Sequence, residues 1–228
     1  MELSLPLARS LNGLTSNANA ARFPIHNCVF VMSTEVSCHA VALRVGGRHL
    51  LLFPAMTITT RSLTLVLHNP RHLLALLTSS AEYEKLSGMC VADGVREFLL
   101  SASPDFFVQL QTATESDPWK IGFAIVHKID NLVIGMCGFN TPPDSDGVVE
   151  IGYGIAPSYQ GKGYASEAAQ ALVNFATRDV RVKTLRAHTL AQKNASTRVL
   201  AKCGFQKISD TVDPENNTPI WRWEKPMK

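Results

Sequence analysis

The segment from Val148 to Arg178 constrains the fold more than any other part of the chain. Apolar residues alternate with small or polar ones over Val148–Ala156, as in a half-buried strand. A short loop with Gly161 and Gly163 follows, and apolar residues then recur along one helical face over Tyr164–Arg178. A strand that passes through a glycine-containing loop directly into a helix predicts a sheet with helices packed on it.

The flanking patterns predict further strands and helices. Before this segment we predict a strand over Ile58–Leu67, helices over Pro70–Leu77 and Gly94–Leu100 (with Asp93 as N-cap), and strands over Trp119–Ile125 and Leu132–Phe139. After it we predict a strand over Thr184–Leu190, a helix over Asn194–Cys203, and strands over Phe205–Val212 and Ile220–Glu224. A meander followed by alternating strands and helices indicates an α/β fold with a mixed sheet.

The first 55 residues differ from the rest. They hold Ser, Asn and Ala clusters and short apolar runs without a steady period. We therefore predict a poorly ordered N-terminal extension over 1–55 and a single domain over 56–228. Met56 directly precedes the regular region, so the extension is either dispensable or a consequence of start-site choice. Its few acidic residues leave an organelle transit peptide open as an alternative to a cytoplasmic protein.

Charge and cysteine content exclude several classes of function. A net charge of +3 over 228 residues is too small to indicate binding to nucleic acid or to a membrane surface. No stretch reaches the roughly 18 to 20 apolar residues of a membrane span. The five cysteines show no C-x-x-C spacing, and no metal-ligand cluster is evident. We expect a reduced, metal-free cytoplasmic protein that is a monomer or homodimer.

The loop at 160–165 has the chemistry of a phosphate site. Its glycines allow close approach of the main chain, the helix start presents N–H groups, and Lys162 adds a positive charge. A P-loop is excluded because Gly163, rather than Ser or Thr, follows Lys162. A dinucleotide fingerprint fits poorly because Ser166 takes the third glycine position. A plain strand-to-helix connection remains the alternative.

Two motifs resemble the GNAT acetyltransferase superfamily. Its Gln/Arg-x-x-Gly-x-Gly/Ala hallmark is matched by Gln160-Gly161-Lys162-Gly163-Tyr164-Ala165. The later segment over Asn194–Phe205 is similar to a helix of the RimJ/RimL-like branch. The resemblance is strongest over Val148–Phe205 and extends more loosely back to Thr57. It implies a central, mostly antiparallel twisted sheet flanked by helices.

The resemblance also implies a cosubstrate, acetyl-CoA, and an amine acceptor. In the family, main-chain N–H groups of the loop hold the CoA pyrophosphate and the preceding strand pairs with the pantetheine arm. The cofactor-binding residues that we predict are therefore Ile155, Ala156, Gln160, Gly161, Lys162, Gly163, Tyr164, Ala165 and Asn194. The acceptor is a protein N-terminus or a small-molecule amine.

Attack of an amine on a thioester requires the neutral amine. A lysine amine is neutral at pH 7 about once in 2,500 molecules, a cost of roughly 4.6 kcal/mol, whereas an α-amine costs only about 1 to 1.4 kcal/mol. Glu150 is the predicted base, because strand alternation places it with Gly152 and Gly154 on a face that has room for a ligand. The family often has a carboxylate on this strand. A solvated strand-end glutamate is the alternative.

Ser196 is the second predicted catalytic residue. Many relatives protonate the departing thiolate with a tyrosine at the position of Leu200, whereas RimJ/RimL-like proteins carry a serine near the helix start, which matches Ser196. Lys193 occupies the position of that branch's asparagine, and Asn194 follows it. An ordinary helix-start hydroxyl is the alternative for Ser196, and His188 is expected to be structural. These features predict an N-acetyltransferase; a non-catalytic acyl-CoA-binding regulatory module is the alternative.

Overall fold

The computed structural model describes residues 35–37, 44–45, 48–49 and 56–227. The strands are β1 (Glu35–Ser37), β2 (Arg44–Val45), β3 (Arg48–His49), β4 (Thr57–Thr59), β5 (Leu63–Leu67), β6 (Phe123–His127), β7 (Leu132–Phe139), β8 (Val148–Ile155), β9 (Thr184–Leu190), β10 (Gln206–Val212) and β11 (Pro219–Pro226). The helices are α1 (Pro70–Thr78), α2 (Ser80–Ser87), α3 (Val95–Leu100), α4 (Pro104–Thr112), α5 (Tyr164–Ala176) and α6 (Ala195–Lys202).

Nine of the strands form one sheet in the order β1-β4-β5-β6-β7-β8-β9-β11-β10. Only the β8–β9 pair is parallel within this sheet; every other neighbouring pair is antiparallel. Strands β2 and β3 pair separately. The predicted mixed α/β fold with a mostly antiparallel sheet is confirmed.

Helices cover both faces of the sheet. One face packs against α5 and α6 through residues such as Tyr153, Leu172 and Val199. The opposite face of β5, β6 and β7 packs against the early helices through residues such as Leu76 and Leu99. On β8, β9 and β11 this second face carries polar side chains instead of apolar ones. The candidate site lies on this polar part of the sheet.

Two predicted elements differ from the structure, and two helices were not predicted. The strand predicted over Ile58–Leu67 is a hairpin of β4 and β5, because Thr60 closes a turn through bonds with the main chain of Leu63. Trp119 lies in a turn organised by Asp117, whose carboxylate accepts its N–H at 2.9 Å, so β6 begins only at Phe123. Helices α2 and α4 were not predicted.

The predicted N-cap of α3 is also wrong. Gly94, rather than Asp93, holds that position, with a φ of +91°, and no side chain caps the helix. By contrast, Asn194 does cap α6: its Oδ1 accepts the Thr197 N–H at 3.0 Å, and its own N–H donates to Thr197 Oγ1.

The predicted domain boundary at residue 56 can be compared with the structure only in part. Most of 1–55 lies outside the described residues. Within that segment, β1 pairs with β4, so the sheet includes residues before Met56. The predicted extension stays a prediction.

Candidate active site

The glycine loop joins β8 to α5 through a short 3-10 turn over Pro157–Tyr159. Gly161 and Gly163 have φ angles of +72° and +103°, which favour glycine strongly. A Cβ at Gly161 would meet no atom within 4 Å, so the loop has open space beside it. No side chain caps the N-terminus of α5, where an α-helix leaves N–H groups without intrahelical partners. The loop therefore has the conformation that an anion site requires.

The side chains of the predicted loop motif are folded back onto the protein. Gln160 Nε2 donates to the carbonyl oxygen of Ile155 at 2.9 Å. Lys162 Nζ donates to the carbonyl oxygen of Ser158 and lies 5.0 Å from the ring centroid of Tyr159. Both hydrogen bonds are local to the turn and engage carbonyl oxygens, so they do not occupy the main-chain N–H groups of the loop.

A polar chain supports the loop from behind. The Tyr164 hydroxyl lies 2.9 Å from His127 Nε2, and His127 Nδ1 lies 3.0 Å from Asp130 Oδ2. The Tyr159 hydroxyl donates to the same carboxylate oxygen at 2.5 Å. This bond, reinforced by His127, lowers the pKa of Asp130, while the bond to Asp130 raises the pKa of Tyr159. Tyrosines on both sides of the loop are thus tied to the β6–β7 turn.

The sheet opens beside this loop. The parallel ladder joins Val148–Glu150 of β8 to Thr184–Arg186 of β9, and both strands continue past its end. The ladder of β8 with β7 continues to Ile155, and the Ala156 N–H donates to the Ile134 carbonyl oxygen at 2.7 Å. Because main-chain groups alternate along a strand, those of Ile155 face the opening while those of Ala156 face β7.

Glu150 lies where the opening begins. Its Oε1 is 2.9 Å from Nδ1 of His188, a residue of β9. The Glu150 side chain is 17% exposed and that of His188 is 8% exposed, so the pair is screened from bulk water but reachable. Sequence reasoning assigned His188 a structural role. The parallel register that aligns Glu150 with Arg186 places His188 on the same face, and this register cannot be read from spacing alone.

Ser196 lies on the other side of the sheet. It is fully buried at the start of α6, and its Oγ is 3.1 Å from the Tyr153 hydroxyl. Tyr153 has the opposite strand parity to Glu150, so the two predicted catalytic residues do not share a face; the opening between β8 and β9 separates them. Leu200 is buried and apolar. Leu200, at the family's tyrosine position, has no hydroxyl. The hydroxyl beside Ser196 comes from Tyr153 instead.

A cavity of about 330 Å³ adjoins the end of β8. Its lining includes Phe98 and Glu97 of α3, Gly154 and Ile155 of β8, and Gln160 of the loop. A Cβ at Gly154 would lie 2.3 Å from the Phe98 ring, so glycine is what lets α3 pack this closely. The cavity therefore lies between the loop and the sheet face that carries Glu150.

Of the predicted cofactor-binding residues, those from Ile155 to Ala165 lie together around the loop and the adjoining strand end. Asn194 instead uses its side chain to cap α6. Cys137 and Cys203 are buried core residues. Within residues 56–227, no group of His, Cys, Asp and Glu has the arrangement of a metal site. In that same part of the chain, no helix is both long and apolar enough to span a membrane.

The chain is similar to curated N-acetyltransferases over part of its length. The uncharacterized N-acetyltransferase p20 of Bacillus licheniformis is 35% identical over 85 residues, or 37% of this chain and 48% of that protein. The uncharacterized N-acetyltransferase YjdG of Bacillus subtilis is 38% identical over 82 residues, 36% of this chain and 49% of that protein. The chain thus spans about half the length of these relatives.

Solved structures share the fold. A GNAT-family acetyltransferase from Bacillus anthracis superposes with a TM-score of 0.52 and 20% identity, over 75% of this chain and 98% of that one. RimL, a ribosomal-protein α-N-acetyltransferase solved with coenzyme A, gives 0.51 and 17%, over 73% and 94%. Residues 63–206, well over half of the chain, match the acetyltransferase (GNAT) domain family. The chain therefore belongs to the GNAT acetyltransferase family.

Proposed function

We propose that this protein is an acetyl-CoA-dependent N-acetyltransferase that acts on a primary amine, either a protein N-terminus or a small molecule. One observation carries the proposal: the β8–β9 ladder ends at Glu150, and the opening that follows runs along β8 toward a glycine loop suited to a diphosphate. Such an opening would admit an extended, peptide-like arm as a further partner of β8, and the loop would hold its phosphates. The RimL structure was solved with coenzyme A, which supports this choice of cosubstrate.

In the proposed reaction the amine nitrogen attacks the thioester carbonyl carbon, and the carbon–sulfur bond breaks. Glu150 takes the proton that the amine loses, and His188, at 2.9 Å, orients that carboxylate. The thiolate leaves on the other side of the opening, where the Tyr153–Ser196 pair lies. One of these hydroxyls gives the thiolate its proton. Because the two pairs lie on opposite faces of β8, the acceptor and the cosubstrate would approach from opposite sides of the sheet.

A weakly basic carboxylate is sufficient only for an amine of moderate pKa. Deprotonation at pH 7 costs about 1 to 1.4 kcal/mol for an α-amine and roughly 4.6 kcal/mol for a lysine amine. We therefore favour an α-amine or a similarly acidic primary amine as the acceptor.

The test is thiol release from acetyl-CoA in the presence of a panel of amines. Glu150→Gln should lower kcat/KM about 10²- to 10⁴-fold, the usual contribution of a general base. Glu115→Gln, an exposed residue away from the site, is the matched control and should behave as the wild type. Tight CoA binding without amine-dependent turnover would contradict the proposal and indicate a regulatory module.

The hydroxyl pair is tested separately. Ser196→Ala and Tyr153→Phe each remove one oxygen, and the variant lacking the proton donor should lose kcat with little change in KM for the amine, because the group acts on the leaving thiolate. A wild-type kcat in both variants would remove the pair from the mechanism.

A further inference from the structure

Five ionisable side chains meet on the sheet face that carries Glu150. Parallel register aligns Glu150 of β8 with Arg186 of β9. Antiparallel register aligns Arg186 with Glu224 of β11, and His188 with Arg222. Since side chains two apart on a strand share a face, all five project to the same side of the sheet.

The hydrogen bonds within this group are unevenly shared. Glu150 is paired with His188. Arg186 donates from Nε and Nη2 to Glu224 Oε1, at 3.0 and 2.8 Å. Arg222 Nε lies 3.6 Å from that same oxygen and has no hydrogen-bond partner among the described residues. One carboxylate thus serves two guanidinium groups, and among the described residues the Arg222 Nε–H is left without an acceptor.

Arg222 is placed to meet a ligand at the Glu150 side of the opening. It lies directly opposite His188 on the neighbouring strand, where side chains of a pair start about 4.5 to 5.5 Å apart. Its side chain is 38% exposed, although Nε itself is buried. A planar guanidinium in this setting binds carboxylates with particular strength and geometry.

We infer that the acceptor carries a carboxylate close to its reactive amine, and that Arg222 binds this carboxylate while Glu150 faces the amine. The inference rests on the proposed function. Strand β9 lies between β8 and β11, so two strand spacings, about 10 Å in all, separate the main chains of the two residues, and the long arginine side chain shortens the distance that the acceptor has to span. Two kinds of molecule have this chemistry: a small amino acid, and a peptide with an acidic side chain just after its N-terminal residue.

The experiment compares matched acceptors in the thiol-release assay. One arm uses the peptide amides Ala-Glu and Ala-Gln, whose α-amines differ little in pKa; the other uses the small molecules aspartic acid α-amide and asparagine amide, which also carry α-amines, with rates corrected for the neutral amine fraction. The wild type should prefer the carboxylate member about 10- to 100-fold in kcat/KM, as expected for a hydrogen bond to a charged group. The arm that shows the larger preference identifies the source of the carboxylate.

The assignment to Arg222 is tested by the ratio of the two rates within each variant, which cancels any general loss of activity. Arg222→Gln should bring the ratio to about one, and Arg222→Lys should keep part of it. Arg71→Gln, an exposed arginine on α1, should leave the ratio as in the wild type. Raising NaCl from about 0.05 to 0.5 M should weaken the wild-type preference, a readout that needs no variant.

The outcomes separate the two proposals. Turnover without a carboxylate preference, or a preference that survives in Arg222→Gln, overturns this inference alone. Absence of thiol release with every acceptor overturns the proposed function, and this inference with it.

Discussion

His68 should make the stability of the domain depend on pH. It follows β5 and is 3% exposed, and its Nε2 has no hydrogen-bond partner within the described part of the chain. Burial, together with the nearby His72, lowers the pKa of His68 from 6.5 to about 3. The folded protein therefore keeps this ring neutral at pH values where the unfolded chain protonates it.

The sign and size of the effect follow from proton linkage. Below pH 6.5 the unfolded chain binds a proton that the folded chain does not bind until about pH 3. The contribution of His68 to stability is thus complete above pH 6.5 and is lost as the pH falls toward 3. Between pH 7 and pH 5 this loss amounts to about 2 kcal/mol.

The assay is urea unfolding at pH 7 and pH 5, with the free energy of unfolding extrapolated to water. His68→Leu should lose about 2 kcal/mol less than the wild type between the two pH values. Leu67→Val, an adjacent change without a titratable group, should shift the free energy equally at both. If wild type and His68→Leu respond identically to pH, the reasoning about this buried ring is refuted.

Three further predictions concern the site and the sheet. His188→Gln should lower kcat and leave the KM for acetyl-CoA little changed, because Glu150 loses the side chain that lies 2.9 Å from its carboxylate and orients it; an unchanged kcat would contradict its positioning role. Gly138→Ala should lower the free energy of unfolding by about 1 to 3 kcal/mol in urea titration, since its Cβ would lie 2.7 Å from Gly122 Cα; unaltered stability would refute this. His127→Gln should weaken acetyl-CoA binding in calorimetry, because Tyr164 behind the loop loses its contact with His127. Unweakened binding would show that these hydrogen bonds are not needed to support the loop.

Local patterns were sufficient for much of the fold. The strand over Thr184–Leu190 has the predicted bounds, because Leu185 and Ala187 alternate with Arg186 and His188, as a strand with one buried face requires. The capped helix after Asn194 was equally clear, since its N-cap chemistry acts within one turn. The hairpin at Thr60 was not predicted, because a residue far along the chain stabilises its turn. Glu167 of α5 accepts hydrogen bonds from Thr60 Oγ1 and from the Ser62 N–H, both at 2.5 Å.

The candidate site was predictable only in part for the same reason. Alternation along β8 correctly separated Tyr153, on the core face, from Glu150 on the other. The partners of these residues come from elements far along the chain, His188 from β9 and Ser196 from α6. Their pairing depends on strand register and helix docking, which leave no local trace in the sequence.

The short ladder between β8 and β9 divides the nine-stranded sheet into two parts. Strands β9, β11 and β10 are joined to the larger part of the sheet by only three residue pairs, while among themselves they are paired along most of their length. The arm of the cosubstrate, lying between β8 and β9, would bridge the two parts of the sheet where this ladder ends. Amide hydrogens of β9, rather than those of β6 or β7, should therefore exchange more slowly once the cosubstrate is bound.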